Sequence, residues 1–216
     1  MIPVLIIIML LTSACQSSPP SPTTTSKGGS LRTLIFPALP TATLEATKCN
    51  SKADMVVLPF EEAIEEADFV AKLSIDHVIK ELVYPSHKTL FQASVITVVK
   101  GDKDLTTVHV LQAGNSKCSF NENELFLPGE QYYLILNHAT QVETENTFYI
   151  QGEETGMYKI IEDGYIVKLA YRDSYLSDID DTSLHNKLRA NYDKQIMVFE
   201  EQAFVDKINQ LIEADN

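Results

Sequence analysis

The chain has 216 residues, 17 of them basic and 30 acidic, with a formal charge of −13. That balance repels nucleic-acid phosphates and anionic lipid heads, so direct binding of either is not expected. It suits solubility at a crowded surface, and leaves room for a basic partner or divalent cations. The length allows one domain plus appendages.

The N-terminus carries the sharpest signal. Ile2 to Leu11 holds only Ile, Pro, Val, Leu and Met. That run is about half of the roughly 20 apolar residues a membrane-spanning helix needs. It fits a signal-peptide core, which is roughly 7–15 residues long and ends at a small-residue cleavage site. The site reads Leu11-Thr12-Ser13-Ala14-Cys15 and resembles a bacterial lipobox. The resemblance implies cleavage before Cys15 and a diacylglycerol on its thiol. Thr12 stands where such sites usually carry Leu, Val or Ile, and no Lys or Arg precedes the apolar run. Ordinary secretory cleavage after Ala14, with an unmodified Cys15, is the alternative.

Gln16 to Ser30 is Ser, Pro, Thr and Gly with a single charge at Lys27. Such a stretch buries nothing and reads as an extended tether. Leu31 to Thr47, with Leu34-Ile35-Phe36 followed by Pro37 and Pro40, either docks on the domain or continues the tether. The folded part is expected from Lys48 onward.

Met55 to Leu58 is a short β-prone run. Pro59 then suits the first position of a helix whose Phe60, Ala63, Ile64 and Ala67 recur at helical spacing, with Glu61, Glu62, Glu65 and Glu66 toward water. The next segment is a strand by alternation. Phe69, Ala71, Leu73 and Ile75 share one strand face and Lys72, Ser74 and Asp76 the other. A second strand, Thr89 to Val99, places Phe91, Ala93, Val95 and Val99 together and ends in the turn Lys100-Gly101-Asp102. A third covers Thr106 to Gln112. Cys118 falls in a polar loop, and Pro128-Gly129 marks a turn before Gln131 to Asn137. The core of that strand, Tyr133 to Leu136, reads as buried on both faces. Thr147 to Ile150 is a further strand. Met157 to Ile161 and Tyr165 to Leu169 flank Glu162-Asp163-Gly164, a hairpin signal. The chain ends helical, over Ser183 to Tyr192 and over Glu200 to Ala214, the latter with Phe204, Ile208, Leu211 and Ile212 on one stripe.

With Cys15 assigned to lipid, Cys49 and Cys118 remain as an even pair in an oxidising setting. A disulfide between them is expected, stabilising by about 4 kcal/mol on the chain-entropy model. Two free buried thiols are the alternative.

The succession of helix, strand, strand, short strand, Cys118 and strand resembles the netrin-like fold, a small five-stranded OB-type barrel known from the tissue inhibitors of metalloproteinases. The matching stretches are Ala67 to Lys72, Val98-Val99-Lys100-Gly101, Lys117 to Phe120 and Glu130 to Leu134. The resemblance covers roughly Lys48 to Asn137, and Cys49 and Cys118 occupy places comparable to a cysteine pair of that family. It implies a mainly β domain with a barrel core over 48–137, to which the residue pattern adds strands over 138–169 and flanking helices, including C-terminal ones over 182–214. The family inhibits through the free α-amino group of a leading Cys-x-Cys. Here a tether precedes Cys49, and Ser51 stands where the second cysteine would be. Only the scaffold carries over.

No catalytic motif is present: no His-Glu-x-x-His, Gly-x-Ser-x-Gly, Cys-x-x-Cys or phosphate-binding glycine loop. His77, His87, His109, His138 and His185 share no metal-ligand spacing and read as surface or strand-end residues. Asp173, Asp178, Asp180 and Asp181 form the densest acidic group. They could offer oxygens to calcium, but lack the EF-hand pattern and read as a solvated loop. Tyr132, Tyr133, Tyr149, Tyr158 and Tyr165 form either packing or an aromatic surface, with packing the simpler account.

No catalytic residue, metal or cofactor is expected. The expectation is a non-enzymatic, lipid-anchored extracytoplasmic module that binds an envelope or secreted protein. A protease inhibitor and an envelope hydrolase are the alternatives.

Overall fold

Apolar side chains at every second position of Phe69–Ile75 require a sheet with one dry face, and the chain provides it by closing a barrel. The computed structural model describes residues 49–54, 57–140, 144–161, 164–170, 172–188 and 196–214, all within the compact unit Glu45–Asn216. The expected signal segment, Cys15 and the tether lie outside the described residues.

Among those residues the order is β1 (Cys49–Ser51), α1 (Phe60–Glu66), β2 (Phe69–Leu82), β3 (Lys88–Lys100), β4 (Thr107–Ala113), β5 (Cys118–Phe120) and β6 (Gln131–His138). Then come β7 (Thr147–Ile150), a 3-10 turn (Glu153–Gly156), β8 (Met157–Ile161), β9 (Tyr165–Lys168), α2 (Thr182–Leu188), β10 (Met197–Glu200) and α3 (Glu201–Ala214). The fold is mainly β, with a closed five-stranded barrel and a C-terminal helix, as expected.

β2 pairs antiparallel with β3 and β6, β3 with β4, β4 runs parallel to β7, and β7 returns antiparallel to β6. Closure therefore comes from beyond Asn137. The barrel interior holds Phe69, Ala71, Leu73 and Ile75 of β2, facing Phe91, Val110, Leu134 and Phe148. β8, β9 and β10 extend the sheet outward from β6.

β6 serves both parts at once. On one edge it pairs with β2, and on the other it pairs first with β8 and then with β7. Its Tyr132, Leu134 and Leu136 fill the barrel, while Tyr133 and Ile135 enter a second core outside it. The expectation of a strand buried on both faces holds. Where the chain leaves β7 for β8, a Cβ on Gly156 would stand 2.3 Å from the Gln151 carbonyl oxygen. Only glycine fits that crossing.

The second core lies under α1 and α3. Phe60, Ala63 and Ile64 of α1 meet Phe204 and Ile208 of α3 over Tyr133, Tyr158 and Phe199. Phe204 is its centre, with ring centroids 4.6 Å from Tyr158, 5.6 Å from Phe60 and 5.6 Å from Tyr133. The helical stripes expected for α1 and α3 are both seated here. A smaller cluster gathers Val167, Ile196 and Val198 beneath Leu184 and Leu188 of α2.

Several expectations are corrected. Val99 does not share a face with Phe91. Register shifts between β2 and β3 leave Ile96 and Val99 as extra residues on β3, so Val98 packs on the barrel core and Val99 on the second. Such a bulge flips the phase of the residues beyond it. Pro59 is the N-cap and not the first helical residue. Val57 and Leu58 form no strand, and Met55 and Val56 lie outside the described residues. Cys118 belongs to a strand and not to a loop. The penultimate helix starts at Thr182 and is described to Leu188, while the rest of its expected range, 189–192, lies outside the described residues. Glu200 ends a strand, β10, that the helical reading of the tail overlooked.

Candidate binding surface

β2 outruns its partner β6. Their pairing ends at Ser74 opposite Gln131, yet β2 continues to Leu82 paired with β3 alone. From His77 to Lys80 its outer edge has no strand neighbour among the described residues. An unpaired edge presents donors and acceptors ready for another chain. Two further register shifts, around Asp76 and Ile79, bend the strand here. Asp76 fixes the first by accepting hydrogen bonds from Ser94 Oγ (2.9 Å) and Gln92 Nε2 (3.2 Å).

This stretch and the turn after it expose apolar side chains: Val78 45%, Ile79 41%, Val83 64% and Tyr84 86%. The tip is held in place. Asn115 Nδ2 donates to the Leu82 carbonyl (3.0 Å), and the Ser116 amide and hydroxyl donate to Glu81 (both 2.9 Å). The Asn115–Lys117 segment leads directly into Cys118.

Cys49 and Cys118 are bonded as a disulfide. They are register partners in the parallel pair β1–β5. The Cys49 amide donates to the Lys117 carbonyl (3.2 Å), so it is an engaged peptide group and not a free amine.

The other candidate residues do not converge. His77 and His138 are exposed, and His87 and His109 half-buried. His185 departs from the expected surface position: it is buried on α2, with Nε2 2.7 Å from Asp180 Oδ1. Asp180 likewise is no solvated residue. Its side chain is 1% exposed and also accepts from Arg172 Nη2 (2.7 Å) and the Val198 amide (3.0 Å). Asp173 accepts from the Phe60 amide (2.8 Å), and Asp178 pairs with Lys207 (2.8 Å). Lys207 holds the Asp178 carboxyl below its usual range, and Ser183 does the same for Asp181. Each aspartate therefore has its own structural duty. Among the described residues no three His, Cys, Asp or Glu side chains are placed to hold a metal ion.

The tyrosines separate in the same way. Tyr132 faces the barrel, Tyr133 and Tyr158 the second core, and Tyr149 is 40% exposed. They form packing and not a common aromatic surface. Burial and the Glu201 carboxylate push Tyr133 up, its hydroxyl donating to Glu201 (2.9 Å) beside Lys72 (2.7 Å). Burial alone would raise Glu130, but donation from Lys159, the Leu127 amide and the Tyr132 hydroxyl brings it below its ordinary value.

Two buried charges escaped the sequence. Glu153 sits in the 3-10 turn at φ 48°, a region non-glycine residues seldom adopt. Burial pushes its carboxyl up to about 7, against the Ala113 amide (3.2 Å) and the Lys88 charge, both of which lower it. Lys168 lies 3% exposed on β9, donating to the Thr155 carbonyl (2.7 Å), and burial brings it down to about 8. Gly152 beside Glu153 was the one sequence hint of a special turn.

No protein-family model matches this chain, and no curated protein matches its sequence. Among the described residues no helix is long and apolar enough to cross a membrane.

Proposed function

We propose that this chain is a lipid-anchored extracytoplasmic module, a netrin-like barrel that binds a protein of the envelope or a secreted protein through the distal part of β2. On this reading residues 1–14 are removed, Cys15 carries the lipid, and 15–47 tether the barrel. The observation that carries it is the unpaired edge from His77 to Lys80, flanked by exposed Val78, Ile79, Val83 and Tyr84. Main-chain groups along such an edge take up an extended segment as an added strand, and neighbouring apolar side chains select it. Lys80 on this stretch is flanked by Asp76 and Glu81, so the apolar side chains of the stretch and not its net charge select the segment. The closed barrel and the disulfide supply the rigid support that keeps such an edge in shape.

The test is photocrosslinking in cells that make the full chain, with a photoreactive residue at Tyr84. A discrete protein adduct is expected, lost when Val78→Lys and Val83→Asp are introduced in a chain that still folds. An adduct pattern no different from that of a probe at the exposed Glu145 rejects the binding surface. Mass spectrometry of the mature N-terminus tests the anchor separately. A diacylglyceryl mass on Cys15 is expected, and an intact Met1 without lipid overturns it.

A further inference from the structure

A second surface lies away from the β2 edge, between the two helices that cover the outer core. The last turn of α3 and the side of α1 leave a cleft of about 370 Å³, with Ile64, Leu211 and Ile212 as its floor, Glu61 and Glu65 on its rim and Lys100 at one end. Lys100 sets one positive charge against the two rim carboxylates, which leaves the rim acidic. Its ammonium donates to the carbonyls of Ile64 (2.8 Å) and Glu65 (2.7 Å), closing the end of α1.

The charges here oppose their own scaffold. Glu61 and Glu65, and likewise Glu62 and Glu66, are like charges one turn apart, an arrangement that destabilises a helix. α1 has no basic residue of its own in its last turn, and Lys100 is the cation that meets its final carbonyls. Glu61, Glu62 and Glu65 make no ion pair among the described residues. α3 is 14 residues long, has no basic residue in its last turn, and brings Ala214 to the same cleft. A helix of that length carries partial negative charge at its C-terminal end and attracts cations. Apolar floor, acidic rim and helix end describe one complementary chemistry.

We propose that this cleft docks a cationic amphipathic segment of a partner protein. One apolar side chain lies on Ile64, Leu211 and Ile212, and its Lys or Arg groups reach Glu61, Glu65 and the end of α3. Docking relieves the like-charge repulsion along α1 at the same time.

Fluorescence anisotropy of a labelled 14-residue helical peptide of Leu, Lys and Ala, titrated with the full chain, tests this. Saturable binding that weakens as salt is raised is expected. Glu61→Gln with Glu65→Gln weakens it at least tenfold, whereas Glu122→Gln with Glu145→Gln, which removes the same charge outside the cleft, changes it less than twofold. Circular dichroism checks that each variant folds. Equal losses in the two double variants reduce the effect to net charge and overturn the proposal. Equal binding of a Leu, Glu and Ala peptide, or no binding at millimolar concentration, also overturns it. Self-association of the chain abolished by the Glu61/Glu65 variant assigns the cleft to a second copy and likewise overturns it.

Discussion

The carboxylate of Asp180 stands 2.7 Å from His185 Nε2, and its second oxygen stands 2.7 Å from Arg172 Nη2. Because the first oxygen also accepts the Val198 amide (3.0 Å), this one buried side chain joins the loop before α2, α2 itself and the edge strand β10. Asp181 N–H donates to the Val198 carbonyl (2.7 Å), so the loop covers the outer edge of β10. Edges closed this way do not recruit other chains.

Asp180→Ala should therefore cost about 3 kcal/mol, the usual cost of removing one partner from a buried, hydrogen-bonded charge group. Asp178→Ala removes a side chain that is 61% exposed and paired with Lys207 across the surface, so it should be nearly neutral. Urea titrations of the two variants separate them. Equal, small losses would return Asp180 to the solvated loop that its neighbours in sequence suggest.

That pair also marks what a sequence can disclose. β2 was legible because Phe69, Ala71, Leu73 and Ile75 alternate without interruption, and α3 because Phe204 and Ile208 keep helical spacing. Local pattern was enough where one face repeats, even though Val70 on the opposite face of β2 is buried in the second core. β10 was not legible: Met197-Val198-Phe199 is a short continuous apolar run against a helical pattern, and periodicity cannot divide the two. The phase of Val99 depended on a bulge at Ile96 that only the pairing with β2 reveals. The candidate surface was hidden for a related reason. Nothing local marks Val78 and Ile79 until the pairing with β6 is seen to end at Ser74 opposite Gln131. The burial of Asp180 and Glu153 depends on elements far away in the chain, so no local signal announces it.

The Cys49–Cys118 bond closes a sequence separation of 69 residues. On the chain-entropy model it stabilises the fold by about 4 kcal/mol. Cys49→Ser with Cys118→Ser should lose that amount in denaturant titrations and should free β1, which among the described residues pairs with β5 alone. Reductant should destabilise the natural chain and leave the double variant unaffected. Unchanged midpoints in both experiments would count against a stabilising bond.

Gly156 offers a sharper steric test. A methyl group there meets the Gln151 carbonyl oxygen at 2.3 Å and the Ile135 carbonyl oxygen at 3.3 Å, both backbone atoms that cannot swing aside. Gly156→Ala should cost about 2 kcal/mol or more through forced backbone shifts. Since Ile135 lies on β6, protection of its neighbouring amides from hydrogen exchange should fall first. A variant as stable as the natural chain, with unchanged exchange, would show that the β7–β8 crossing has slack.

Glu153 gives the fold a pH dependence of definite sign. The folded chain holds its proton up to about pH 7, while the ordinary value is 4.5. The native state therefore binds more protons across that window, and stability falls as pH rises through it. The difference corresponds to about 3 kcal/mol, present in full below pH 4.5 and lost above 7. Lys168, brought down to about 8 from 10.5, acts in a separate window: its charged form is the costly one, so stability rises there as pH climbs. Glu153→Gln retains an oxygen to accept the Ala113 amide and cannot ionise. Relative to the natural chain, the variant should gain about 3 kcal/mol between about pH 4 and about pH 8 in urea titrations. A difference that stays flat across that range would mean that Glu153 ionises as freely in the folded protein as in the unfolded chain.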